Sequence, residues 1–305
     1  MQGQRRIERI LKGIPTIEGA GVRLSRAFGY RHVPSLDPFL LLDDFSSGHP
    51  GDYVKGFPWH PHRGIETITC VLRGKVAHGD SMGNEGVIGE GDVQWMTAGS
   101  GIIHQEMPFG DRSGHLQGFQ LWANLPSSHK MMDPRYRGIE AGEIPMVDRA
   151  DGEKIRVIAG ELDGVAGPVR EIVTDPVYLD VTVPAGETFS HPEDAGRTVF
   201  AYVIEGKGFF DDRREPYSYG VEGARYFDIG GEAEVGPGNV VLYGNGGGVA
   251  ITAGGEGARF LLVSGRPIRE PVAWYGPIVM NTQEELKVAF QEYREGTFVK
   301  YSGSG

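Results

Sequence analysis

The feature that most constrains how this chain can fold is an internal repeat. ETITCVLRGKVAHGD from Glu66 and TVFAYVIEGKGFFDD from Thr198 each read as a strand, a Gly-containing turn and a returning strand. Later in each half a Gly-Asp or Gly-Asn turn leads into another strand, GDVQW at Gly91 and GNVVL at Gly238. A duplication of this extent predicts an all-β protein of two related barrels or sandwiches. The length of 305 residues accommodates two cores, and 48 Gly with 19 Pro suit many short strands joined by tight turns. Between the halves, PRYRGIEAGEIPMVDRADGEK (Pro134 to Lys154) is polar and broken by Pro and Gly, as a linker is. The expected division is a first barrel over residues 1–141, a second over 142–272, and a helix and tail over 273–305 that pack on the barrels.

Only the C-terminal region carries a clear helix signal. In NTQEELKVAFQEYREG, Thr282 and Glu285 form a capping box, and Leu286, Ala289, Phe290 and Tyr293 fall on one face before Gly296. Such a stripe is expected to pack on a barrel, the alternative being an exposed helix that binds a partner. The closing SGSG reads as a frayed tail.

Two histidines in GFPWHPHRGIET, His60 and His62, stand at i and i+2 and therefore project to one face of a strand. His104 and Glu106 in SGIIHQEMP repeat that spacing about forty residues on. Three imidazoles and a carboxylate at matching ends of one repeat unit point to a single metal ion. The repeat supplies a control. Laying TCVLRGK on AYVIEGK puts Pro192 and Asp194 at the places of His60 and His62, while laying GDVQW on GNVVL puts Ile251 and Ala253 at those of His104 and Glu106. His191 would come into register only with a small gap. The second half has lost the set, so the fold does not require it.

Composition narrows the partners. No run approaches the 18 or so apolar residues of a membrane helix, and MQGQRRIERI lacks the apolar core of a secretory signal, so a cytoplasmic location is expected. A lone cysteine, Cys70, excludes intrachain disulfides and thiolate-cluster metal sites and reads as a buried, inert thiol. The formal net charge of −11 opposes direct contact with nucleic acid or an anionic membrane. A small molecule or another protein fits better. Ligation by nitrogen and oxygen suits Fe, Mn, Co, Ni, Cu or Zn.

Phe57, Trp59, Met96 and Met107 flank the candidate ligands and would either wall an apolar pocket or fill the barrel. His78, His115 and His129 lie in polar or turn-like contexts and read as surface or locally bonded. The run Glu232 to Glu234 reads as a solvated loop, and the glycines of GNGGGVAITAGGEG as tight turns, because the Lys-Ser/Thr ending of a phosphate loop is missing.

The stretches DPFLLLDDF, HPHRGIETITCVLRG, GDVQWMTAGSGIIHQEMP, GFQLWANLP and WYGPIVMNTQEEL, lying between Asp37 and Phe290, resemble the pirin family of bicupins. The resemblance implies two cupin jelly-roll barrels in tandem, with metal held by His60, His62, His104 and Glu106, usually iron(II). Thr97 in place of the common Pro, and four residues between Gly99 and His104, depart from the general cupin motif in a pirin-like way. Glu66, a ligand in many other cupins, is not expected to be one here, although its parity leaves it a neighbour of the ligands. The activity implied is that of a quercetinase, a dioxygenase opening a planar flavonol with dioxygen, in which Glu106 acts as catalytic base as well as ligand. The family also contains non-enzymatic transcriptional co-regulators, so an iron-redox switch that binds a protein partner is the competing expectation.

Overall fold

In the computed structural model, residues 3–215, 217–224 and 233–300 are described. Two all-β units emerge, one formed by residues 15–141 with 268–305 and the other by residues 1–14 with 142–267. The change of unit falls between Ala141 and Gly142, but the termini are exchanged relative to a simple tandem. The strand Ile7–Lys12, expected in the first barrel, pairs with Asn239–Tyr243 of the second.

The first barrel sets a seven-stranded sheet, with Ile65–Arg73 and Gln117–Asn124 at its centre, against a four-stranded sheet in which Phe57–His62, Ile102–Phe109, Lys75–Asp80 and Glu85–Ile88 are neighbours. IETITCVLR is rich in β-branched residues and buried along nearly its whole length, as a central strand covered on both sides must be. The repeat unit is not a hairpin, contrary to the sequence reading. Ile65–Arg73 pairs in the larger sheet and Lys75–Asp80 in the smaller, with Gly74 passing the chain between them. Gly74 has φ +82°, and a Cβ there would lie 2.6 Å from the Phe109 carbonyl oxygen, so only glycine fits.

The second barrel uses the same device. Thr198–Phe209 is one long strand bulged around Gly206, whose φ is +69° and where a Cβ would meet the Gly257 carbonyl at 2.1 Å. Its core gathers Phe189, Val199, Ala201, Phe210, Ile251 and Phe260 among others. In the stretch GNGGGVAITAGGEG only the first part turns, at residues 245–247, since from Gly248 the chain belongs to the single strand Gly248–Gly265 that bonds to three neighbours.

The helix Gln283–Glu295 begins and ends where the sequence places it. Thr282 Oγ1 accepts from the Glu285 N–H, Glu285 Oε2 accepts from the Thr282 N–H, and Gly296 closes it at φ +72°. Leu286 and Ala289 pack with Ala273, Ile278, Met280 and Phe298 in the first unit. No described helix is long and apolar enough to cross a membrane. The SGSG tail and Glu232 lie outside the described residues.

Candidate metal centre

Phe57–His62 runs antiparallel to Ile102–Phe109, with His62 opposite Ile102 and His104 opposite His60. Parity then brings all three imidazoles to one face, with ring centroids 4.4 to 5.0 Å apart. One nitrogen from each lies within 4.8 Å of the others, and no other cluster among the described residues brings three such side chains together.

The hydrogen bonds fix the tautomers of two rings. His60 Nδ1 is 2.8 Å from the Pro58 carbonyl and His62 Nδ1 is 3.0 Å from the Pro277 carbonyl. A carbonyl can only accept, so each Nδ1 carries the hydrogen and each Nε2 presents a lone pair. Those two Nε2 atoms are 3.1 Å apart. Two facing lone pairs at that distance repel unless a cation joins them. His104 Nε2 is buried without a hydrogen-bond partner. Burial, reinforced by nearby imidazoles, pushes both His62 and His104 well below the ordinary imidazole value, so protons are poor occupants. The donor set therefore fits a metal ion bound by neutral imidazoles.

Glu106 is 4 % exposed, but its carboxylate is not among the ligand atoms within 4.8 Å of one another. It accepts instead from Thr69 Oγ1 at 3.0 Å and from Gln120 Nε2 at 3.0 and 2.8 Å. Trp122 Nε1 in turn donates to Gln120 Oε1 at 2.9 Å. The strand pairing shifts register between His104 and Glu106. Alternation alone did not foresee that irregularity.

The His60, His62 and Glu106 side chains face a cleft of about 720 Å³. Phe57, Trp59, Trp122, Trp274 and Tyr275 supply aromatic surface, while Arg26, held by Asp43 at 2.8 Å and Glu18 at 2.9 Å, makes a charged rim. Trp122 stands edge-on to His62, with ring centroids 5.0 Å apart. Of the four residues expected to flank the ligands, Phe57 and Trp59 line the cleft, Met96 fills the core beside Ile65 and Ile102, and Met107 is not part of the lining.

The segment after residue 268 completes this site. Besides the Pro277 carbonyl on His62, the Val279 N–H bonds to the Arg63 carbonyl at 3.1 Å. Arg63 bonds to the Ser100 and Phe298 carbonyls and pairs with Glu292 at 2.8 Å. Buried Lys130 donates to Gly64, Asn124 and Val279. The chain just after the His60/His62 pair is thus tied to residues more than 200 positions away.

Of the other expectations, that for His78 changes, while those for His115, His129 and Cys70 hold. Glu66 accepts from Thr97 at 2.7 Å and does not line the cleft. Thr69, three residues on and so of opposite parity, is the residue of that strand that reaches Glu106. His78 is neither exposed nor locally bonded: it lies opposite Glu106 in the ladder, is 8 % exposed, and bonds to Tyr136 Oη at 2.6 Å. His115 and His129 bond to nearby Ser113 and Ser128, and Cys70 is buried. The sequence reading missed Gln120 and Trp122 as site residues, although their i, i+2 spacing carries the same parity signal as HxH.

The strand registers also correct the repeat alignment. His191 pairs with Val249 and Phe189 with Ile251, as His62 pairs with Ile102 and His60 with His104. His62 to Thr69 spans seven positions and His191 to Ala201 spans ten, so the ungapped comparison with Pro192 and Asp194 is displaced by three. His191 is the counterpart of His62, and Phe189 that of His60.

Comparison with known proteins agrees with this architecture. The profile described as Pirin matches residues 21–123, and that described as Pirin C-terminal cupin domain matches residues 178–299. A pirin-like protein of Caulobacter vibrioides is 43% identical over 295 residues, covering 96% of this chain and 99% of its own. A Pseudomonas aeruginosa protein with a provisional quercetin 2,3-dioxygenase name is 42% identical over 288 residues, covering 93% and 94%. The crystal structure of a quercetin 2,3-dioxygenase from Acinetobacter baumannii superposes with a TM-score of 0.83 at 31% identity, covering 97% of this chain and 99% of that one.

Proposed function

The chain belongs to the pirin family of bicupins, and from that premise we propose that it is an iron(II)-dependent dioxygenase opening the central ring of quercetin or a similar flavonol. The observation that carries this reading is the aromatic-walled cleft of about 720 Å³ facing His60, His62 and Glu106. A site serving only as a redox switch needs no such opening, which favours the enzyme over a protein-binding regulator.

His60, His62, His104 and Glu106 would hold the ion. When bound, it would supply a Lewis-acidic, redox-active centre for a 3-hydroxy-4-keto group and for the chemistry of dioxygen. Trp59, Trp122, Trp274 and Tyr275 offer flat surfaces against which a planar substrate can stack, and they exclude water from its faces. Glu106 takes the 3-hydroxyl proton, for which it must come within roughly 2.6–3.2 Å of that oxygen. In balance, the flavonol and one dioxygen become a phenolic ester and one carbon monoxide.

The test is metal analysis, anaerobic iron reconstitution, and dioxygen uptake with quercetin while carbon monoxide is measured. Turnover with carbon monoxide release, lost in His62→Ala, is the expected result. Stoichiometric iron with no uptake across a panel of flavonols and catechols would overturn the proposal in favour of the regulator.

A further inference from the structure

We infer that Gln120 is the positioning residue of this site: oriented by Trp122, it aims the Glu106 carboxylate. This rests on Glu106 being a metal ligand. The orientation of the Gln120 amide follows from donor and acceptor chemistry. An indole N–H can only donate, so the Gln120 atom 2.9 Å from Trp122 Nε1 is its carbonyl oxygen. The amide nitrogen then faces Glu106, where it reaches both carboxylate oxygens at 3.0 and 2.8 Å. Thr69 Oγ1 donates to Glu106 Oε1 at 3.0 Å and accepts from Gln120 Nε2 at 3.1 Å. The carboxylate is held from two strands of the sheet facing its own.

The second barrel shows that the scaffold does not need this network. Thr69 pairs with both Gln94 and Gln120, and in the repeat Ala201 pairs with Val241 and Leu262. The counterparts of Thr69 and Gln120 are thus Ala201 and Leu262, the alignment of GDVQW on GNVVL puts Ala253 at the place of Glu106, and all three belong to the apolar core. Where three of the four ligand places are apolar, the donors that would hold a carboxylate are gone as well. A ligand carboxylate left to rotate loses affinity and geometry, and such supporting hydrogen bonds typically account for about 10–100-fold in metal binding.

The test uses full-length protein loaded with cobalt(II), reading the visible absorption spectrum and the dissociation constant against a competing chelator, with Glu106→Gln as reference. Gln120→Leu, a near-isosteric change to the residue the second barrel carries, is expected to weaken cobalt about 10–100-fold and move the spectrum toward that of Glu106→Gln. Trp122→Phe keeps an aromatic ring beside His62, removes the donor that orients Gln120, and should shift both readouts the same way by a smaller amount. A shifted Glu106→Gln spectrum with Gln120→Leu unmoved in both readouts would overturn this inference alone. Wild-type spectrum and affinity in Glu106→Gln would overturn the ligand assignment and the inference with it. Should Gln120→Leu fail to fold, Trp122→Phe decides by the same criterion. None of these readouts depends on flavonol turnover.

Discussion

The two barrels share a strand plan and differ at interior places, five of them around the candidate metal centre. Where the first has His60, His104, Glu106, Thr69 and Gln120, the second has Phe189, Ile251, Ala253, Ala201 and Leu262, all within one continuous apolar core. Only the place of His62 keeps its residue type, as His191. That imidazole lies 4.0 Å from Glu193 and lines a separate cavity of about 770 Å³. The difference teaches that this fold is satisfied by hydrocarbon at these positions, because interior apolar groups need no hydrogen-bond partners. Polar groups there are costly to the scaffold, and in the first barrel they come as a complete set.

The sharpest way to break the comparison is to convert one barrel into the other. His104→Ile, the residue found at the matching place, should lower metal affinity more than about 100-fold, measured by chelator competition. The metal-free protein should lose no stability and gain up to about 1–2 kcal/mol, since a buried ring nitrogen without a partner is removed. A stable metal complex in this variant would show that the three imidazoles do not act together.

An effect on stability instead of metal affinity tests the tie between the ligand strand and the C-terminal segment. Arg63 is 2 % exposed and joins Ser100, Glu292 and Phe298. Arg63→Ala should cost about 3–5 kcal/mol, because it leaves buried carbonyls and part of an ion pair unmatched. All four tryptophans, Trp59, Trp95, Trp122 and Trp274, lie in the first unit, so urea unfolding followed by tryptophan fluorescence reads that barrel selectively. A change under 1 kcal/mol would show the tie to be dispensable.

The smallest effect is a slope with pH. Burial lowers the folded-state values of His62 and His104, whereas the unfolded chain binds protons near pH 6.5. Below that pH the unfolded state holds more protons, so the metal-free first barrel should lose stability as pH falls, by up to about 2.7 kcal/mol per pH unit for two groups. His104→Ile should halve the slope, and a flat profile between pH 6.5 and 5 would contradict the assignment of both rings as buried and neutral.

By itself the sequence determined the repeat, the all-β class, the ends of the C-terminal helix and the triad of histidines. Each of these is written in local spacing: i and i+2 on strands, i, i+3 and i+4 on the helix, and a capping box three residues apart. Tertiary structure alone decided that the Pro277 carbonyl holds His62, that Gln120 and Thr69 hold Glu106, that His78 is buried against Tyr136, and that Ile7–Lys12 joins the second barrel. The three-residue displacement hiding the match of His191 to His62 belongs with these. The physical reason is the same throughout. A carbonyl acceptor is the same atom in every residue, and strand partners far apart in the chain are chosen by register, which a bulge or a longer loop shifts without leaving a mark in residue type.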